Sequence, residues 1–199
     1  MAIVLRSTSP ATLDAIAPAL RAAFRAIRLE PFIVAEHEVA TIADLFPAKV
    51  LELREHQVLL YGENPFASAK VAPAHLRLRA QMELTNLAMR LRRRYVGTSD
   101  DAAGLFSALS DIATPLSVEL GVLLRVAGEA AVADDAPAAV FAAASKRFGL
   151  EAEPLAQLAA LKAGEPMENE PPVLFAKILG VVSAAAALAR TVEVRDEST

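Results

Sequence analysis

The residues best suited to bind a charged ligand lie near the end of a long predicted helix. This run contains four arginines, Arg90, Arg92, Arg93 and Arg94. Arginine binds phosphate through several N–H donors, so the run could form a patch for phosphate or nucleic acid. A simpler explanation is favoured, because cations stabilise a helix C-terminus and a solvated face needs charge. Tyr95 is the one aromatic residue interleaved with the run that could stack on a base.

Glu83 is the carboxylate on this otherwise basic helix, which makes it the candidate catalytic residue. As a general base it would need a substrate within reach and a raised pKa. The sequence shows neither property. An ion pair within the helix, with Arg79 or Arg90, explains Glu83 more simply.

The run Glu36, His37 and Glu38 could supply metal ligands. Neighbouring residues in a strand point to opposite faces, so at most the two glutamates would converge. A solvated edge is the favoured interpretation, and we predict no metal site. The chain contains no cysteine, which excludes thiolate ligands, disulfides and cysteine nucleophiles. It also has no Gly-rich phosphate loop, serine nucleophile elbow or helical zinc-protease motif.

The composition favours a helix-rich protein. Of the 199 residues, 54% are hydrophobic, and much of this fraction is alanine, the strongest helix former. The net charge of −4 gives no global attraction to nucleic acid or to an anionic membrane. The most apolar run, Val173 to Ala189, is barely long enough to span a membrane and contains Lys177. We therefore expect a buried helix there, no membrane association, and a cytoplasmic location.

The first part of the chain has the pattern of an α/β domain. Ser9 and Pro10 are suited to begin a helix whose apolar residues recur at helical spacing. A short helix is predicted around residues 39–45. Four apolar runs are predicted as strands: residues 2–5, 32–35, 50–53 and 58–61. The strand-helix-strand order implies a parallel pair, and a strand edge exposed at residues 2–5 predicts self-association.

From Pro73 onward, strand patterns disappear and five helices are predicted. Gly97 is expected to end the first of them, and Ser99 is expected to cap the second. The third is expected to begin near Asp135 and to end at Gly149. Short loops between such helices predict an antiparallel bundle. The fold class is therefore α+β and mostly α, with an α/β domain over residues 1–65 and a bundle domain over residues 73–192.

Three stretches of the chain resemble a family of bacterial nucleotidyltransferase-like proteins, which have a nucleotidyltransferase-fold domain followed by a helical domain. The resemblance lies in the order of the segments and in their residue patterns, and it covers almost the whole chain. The stretches are "TLDAIAPALRAAFRA" with "PFIVAEHEVATIADLFPAKVLELREHQVLLYGENPF", "HLRLRAQMELTNLAMRLRRRYV", and "LFSALSDIATPLSVELGVLLRVAGE".

The resemblance implies a catalytic segment that this sequence does not contain. In such proteins a Gly-Ser loop on the first strand holds the triphosphate, and an acidic pair near the second strand binds metal. Here "MAIVL" resembles that second strand, with neither a Gly-Ser loop nor an Asp-x-Asp pair. The carboxylates that would hold magnesium are missing. Magnesium and a nucleoside triphosphate are thus expected only if a missing N-terminal segment is restored, and no cofactor is expected otherwise.

Three hypotheses about function follow. The first is a nucleotidyltransferase-superfamily protein that is inactive as written, being either a fragment or a degenerate member. The second is a non-enzymatic module that binds a protein or RNA through the helical bundle. The third is a different enzyme with the basic helix at its site. Self-association is compatible with the first two. The segment "VLLYGENPF", Val58 to Phe66, is interpreted as a last strand and a hinge into the bundle, because Glu63 would repel a triphosphate.

Overall fold

A computed structural model divides the chain into two compact units, Met1–His75 and Leu76–Thr199. Helices hold most of the described residues, and the only sheet among them has two strands. The mostly helical class predicted from composition is thereby confirmed. The structure describes residues 1–55, 57–130, 132, 136–165 and 170–194.

The first unit begins with the expected strand-helix-strand arrangement. Strand β1 (Ala2–Leu5) is followed by helix α1 (Pro10–Ile27) and strand β2 (Phe32–Ala35). The strands are parallel, with Ala2 in register with Phe32. Ser9 caps α1 as predicted, since its hydroxyl accepts the backbone N–H of Thr12 at 3.3 Å. α1 itself contributes no fully buried residue.

The rest of the first unit packs on one face of this small sheet. A 3-10 turn (Glu36–Glu38) leads into the predicted short helix α2 (Val39–Leu45), and α3 (Pro47–Glu55) follows. Residues two apart in a strand share a face, so Val4 and Val34 meet the same core. The buried members of that core are Val34, Val39, Ile42, Ala43, Val50 and Phe66.

The strand predicted at residues 50–53 is wrong, because this segment lies within α3. Val50 N–H donates to the carbonyl of Phe46 at 3.1 Å, a helical bond. The Nζ of Lys49 also lies 2.9 Å from a carboxylate oxygen of Glu52, one turn further along the helix. A four-residue apolar run does not distinguish strand from helix, and the flanking Lys, Glu and Arg residues favour the helix.

The strand predicted at residues 58–61 is also wrong. Val58, Leu59, Leu60 and Tyr61 form no helix or strand and are 82%, 54%, 79% and 96% exposed. A strand requires a neighbour to accept and donate its backbone hydrogen bonds. No described segment of the chain provides that neighbour. Gly62 has a φ of +76°, and it ends the apolar run with a turn that favours glycine.

In the second part of the chain, the described residues form five helices, as predicted from its apolar periodicity. Their apolar faces share one core to which all five contribute buried side chains. The helix predicted from the apolar run at residues 173–189 is among them. The bounds are α4 Pro73–Thr98, α5 Ala102–Val126, α6 Pro137–Phe148, α7 Ala152–Ala163 and α8 Pro171–Thr191.

Several predicted helix ends differ from those observed. Gly97 does not end α4, which continues to Thr98, and Asp101 rather than Ser99 caps α5. The Asp101 carboxylate accepts the N–H of Ala103 at 3.0 Å, and a charged acceptor at this position also interacts favourably with the helix dipole. Gly149 ends α6 in the left-handed conformation, as predicted. The start predicted near Asp135 lies outside the described residues.

Two helices, α5 and α8, are long and apolar enough to cross a membrane by length and composition. This property is weak evidence, because the core helix of a soluble protein passes the same test. Within α5, the residues from Leu105 to Val126 include twelve that are buried against the rest of the chain. The absence of membrane association therefore stays a prediction.

Replacing Leu116 by Ala should lower the free energy of unfolding by about 2–5 kcal/mol, because this side chain is fully buried in α5 and its truncation leaves a cavity. Val118→Ala is the matched control on the same helix, since Val118 is 49% exposed. It should change stability by less than about 0.5 kcal/mol. Urea titration followed by circular dichroism measures both, and equal losses would contradict this assignment of the core.

Candidate functional site

Helix α4 carries apolar residues on two opposite faces. The inward face contributes Leu76, Ala80, Leu84, Leu87, Ala88 and Leu91 to the buried residues. Four further apolar residues lie within about 40° of one another on the outward face, since each residue advances about 100° around the axis. They are 52–81% exposed, so the core does not cover them. This outward row consists of Leu78, Met82, Met89 and Val96.

A shallow depression lies beside the outward row. It is lined by Glu83, Asn86, Met89, Arg90 and Arg93, all from α4. The structure thus brings the candidate catalytic residue close to two of the four candidate arginines. The depression is open and built from a single helix, which suits contact with another macromolecule better than enclosure of a small substrate.

The other two candidate arginines do not line the depression. Arg92 lies about 200° around the axis from Arg90, because it is two positions further along the helix. Arg94 Nη2 lies 3.5 Å from a carboxylate oxygen of Asp111 on α5. Arg90, Arg93 and Arg94 thus lie within about 100° of one another around the axis, and Arg92 lies on another side of the helix. Their role in binding phosphate or nucleic acid stays a prediction.

A buried ion pair joins α4 to α5. Arg79 Nη1 donates to Oε2 of Glu119 at 2.9 Å, and the Glu119 side chain is 6% exposed. Burial raises the pKa of Glu119 to about 7; the Arg79 guanidinium opposes this rise, and the charge of Glu83 adds to it. The Glu119 carboxyl can thus exchange a proton near neutral pH. Its burial keeps it from reaching a substrate in solvent, and its observed partner is Arg79.

Of the run Glu36, His37 and Glu38, which could supply metal ligands, Glu38 is engaged by local structure. Its carboxylate accepts the backbone N–H of Ala35 at 2.7 Å and so caps the end of β2. His75 Nδ1 lies 3.3 Å from a carboxylate oxygen of Asp44. Within the described residues, no three His, Cys, Asp or Glu side chains are grouped so that they could hold a metal ion.

Sequence reasoning missed Glu119, and its position carries a recognisable signal. In the run "PLSVELGVLL", Glu119 stands one turn after Leu116 and directly before Leu120, on the apolar face of α5. A lone acid on such a face has to find a buried partner. The preceding helix carries six arginines, and the sequence does not specify which of them meets Glu119.

Comparison of the chain with protein-family models, with curated proteins and with solved structures finds no match. The resemblance to nucleotidyltransferase-like proteins therefore rests on the three sequence stretches described above.

Glu119 should make the stability of the protein depend on pH. Its pKa is about 7 in the folded chain, whereas the ordinary value for a glutamate, taken for the unfolded chain, is 4.5, so folding takes up a proton between these values. Stability should fall as the pH rises through this window, by on the order of 3 kcal/mol from this group. Urea titration of the wild type at about pH 5 and about pH 8 should show the loss.

Glu119→Gln is the matched control, since its amide keeps a hydrogen-bond acceptor and does not titrate. The difference in unfolding free energy between wild type and this variant should change across the pH window. Arg79→Gln should move the window to higher pH, because the cation that opposes the rise is removed. A difference that stays constant from about pH 5 to about pH 8 would contradict a raised pKa for Glu119.

Proposed function

We propose that this chain is a non-enzymatic interaction module that binds a partner protein through the outward face of α4. The observation that carries the proposal is the outward row itself. Its members Leu78, Met82, Met89 and Val96 follow one another at intervals of four, seven and seven residues. Apolar residues at this spacing on an exposed helix form a stripe that a second helix can cover.

The side chains of the row suit a binding surface. Met82 and Met89 occupy its centre and are 57% and 52% exposed. Methionine is flexible and polarizable, so it adapts to partners of different shape. Burying four such side chains in an interface is favourable, at about 1.5–3 kcal/mol for each one fully buried.

The charges beside the row specify the chemistry of the partner. Arg90 and Arg93 line one side of it, and Arg92 lies on the other. Glu83 is the acid among them. An amphipathic helix with acidic residues flanking an apolar stripe would complement this surface in both hydrophobicity and charge.

A protein partner is better supported than RNA. Single-stranded nucleic acid is held by aromatic side chains that stack on bases as well as by cations. The ring of Tyr95 lies 5.2 Å from that of Phe175, so it already packs within the bundle. The net charge of −4 adds no long-range attraction to a polyanion.

Membership of the nucleotidyltransferase superfamily, as an inactive fragment or degenerate member, is a second proposal. Its support is the parallel β1–α1–β2 unit followed by helices, the order that the resemblance implies. Antiparallel packing in the bundle belongs to the same proposal. It is supported by the ion pairs between α4 and α5, because Arg79 meets Glu119 whereas Arg94 meets the earlier residue Asp111.

The binding face can be tested with a labelled synthetic peptide that has leucine in a heptad pattern and glutamate at the flanking positions. Fluorescence anisotropy should show binding to the wild type. Met82→Ser with Met89→Ser should weaken it about tenfold or more, because two apolar contacts are lost. Val118→Ser, on the exposed face of α5, is the matched control and should leave the affinity unchanged.

Two results would overturn the binding proposal. One is equal affinity of the wild type and the double methionine variant for the peptide. The other is tighter binding of a single-stranded RNA oligonucleotide that is lost in Arg90→Gln with Arg93→Gln, which would assign the surface to nucleic acid.

The purified chain should show no magnesium-dependent nucleotide transfer, because its sequence has no Gly-Ser loop and no Asp-x-Asp pair. Incubation with labelled nucleoside triphosphates, magnesium and candidate acceptors, followed by gel separation, measures this. Incorporation of label that exceeds a heat-treated control would show that the chain is active as written.

A further inference from the structure

The two-stranded sheet of the first unit has one open edge, which belongs to β1. Phe32 N–H donates to the carbonyl of Met1 at 2.8 Å, and Ala2 is in register with Phe32. In a parallel ladder of this register, alternate residues of β1 bond to β2. The N–H and C=O groups of Ala2 and Val4 therefore point to the opposite edge. No strand of the described chain lies there.

The other edge, on β2, is largely closed to a further strand. The residues whose backbone points away from β1 are Pro31, Ile33 and Ala35. Pro31 has no N–H to donate. Ala35 N–H already donates to the Glu38 carboxylate at 2.7 Å. A partner strand would find one remaining N–H on β2, that of Ile33. On β1 it would find the N–H and C=O groups of both Ala2 and Val4.

The same unit presents a segment with the properties of a missing strand. Val58–Tyr61 is as long as β1, and its residues are β-branched, aliphatic or aromatic. All four side chains are more than half exposed. Apolar residues on both faces are typical of a strand inside a parallel sheet, which is covered on both sides. Exposure of such a segment in water is unfavourable.

We propose that two copies of this chain associate by strand exchange, in which Val58–Tyr61 of each copy pairs with the open edge of β1 in the other. The strand that pairs with β1 comes from a second copy, because one chain carries both the open edge and the exposed segment without joining them. A reciprocal exchange of this kind closes as a two-fold dimer.

The charges next to the two segments favour a parallel pairing. With Val58 opposite Ala2, Tyr61 lies opposite Leu5, and Glu63 then comes within one residue of Arg6. Arg6 and Glu63 are both exposed, so they can meet at the end of the new strand pair. An antiparallel pairing would place Arg6 opposite the uncharged Gln57. The proposal concerns the first unit and is independent of the binding face on α4.

Cysteine cross-linking tests the pairing, because the natural chain contains no cysteine. The parallel register places Ile3 opposite Leu59. Purified Ile3→Cys and Leu59→Cys variants, mixed and oxidised, should form a disulfide-linked heterodimer on a non-reducing gel. Val96→Cys, mixed with Leu59→Cys, is the control: Val96 is 81% exposed and lies on α4, so it should cross-link much less.

Sedimentation velocity supplies a second measurement on the full chain. The wild type should sediment at twice the mass of one chain at micromolar concentration. Leu59→Pro removes the backbone N–H that would donate to the carbonyl of Ala2 in this register and should shift the protein to monomer. Leu59→Val keeps the strand propensity and should remain dimeric.

Three outcomes would overturn the proposal. The first is a wild type that stays monomeric at all concentrations. The second is a dimer that persists in Leu59→Pro together with equal cross-linking in the Val96→Cys control. The third is a doubly substituted Ile3→Cys, Leu59→Cys chain whose disulfide forms within one monomer, which would place the segment on its own β1.

Discussion

Burial of the apolar residues of α5 is the constraint on which the second unit depends. This helix packs against α6, α7 and α8, and residues from Leu105 to Val126 lie inside the shared core. Because so much of its circumference is covered, a polar residue on it is forced into the interior. Ser117 and Glu119 are both buried in this way, and Glu119 accounts for the ion pair with Arg79 and the titration near neutral pH. The raised pKa of Glu119 thus follows from the burial of α5 in the core.

The first unit, by contrast, leaves strand backbone groups and apolar side chains exposed. Hydrogen bonds between two parallel four-residue strands satisfy only about half of the strands' backbone groups, and α1 contributes no buried side chain to offset this. Glu38 closes part of one edge with a single carboxylate. The exposed apolar segment Val58–Tyr61 adds a further cost. Association through this unit would give the open edge of β1 a hydrogen-bonding partner and would cover the exposed apolar segment at the same time.

The outward row of α4 shows why an exposed surface can be informative. Single exposed apolar residues are common on soluble proteins and need no explanation. Four of them aligned along one helix, with arginines beside them, form a continuous surface with a defined chemistry. The inward row of the same helix is equally regular. α4 is therefore apolar on two sides, which is typical of a helix that packs on its own core and on a second surface.

The sequence by itself determined α1, α2 and the helices of the second part, because their apolar periodicity, Ser9 and Gly149 act within a few residues of the chain. It also determined the strand-helix-strand start. It could not assign Val50–Leu53 or Val58–Tyr61, because short apolar runs become strands only when another strand supplies their hydrogen bonds. Only tertiary structure decided that Glu119 meets Arg79 and that Tyr95 packs on Phe175. Those contacts join residues far apart in the chain, and their partners are selected by how the helices pack.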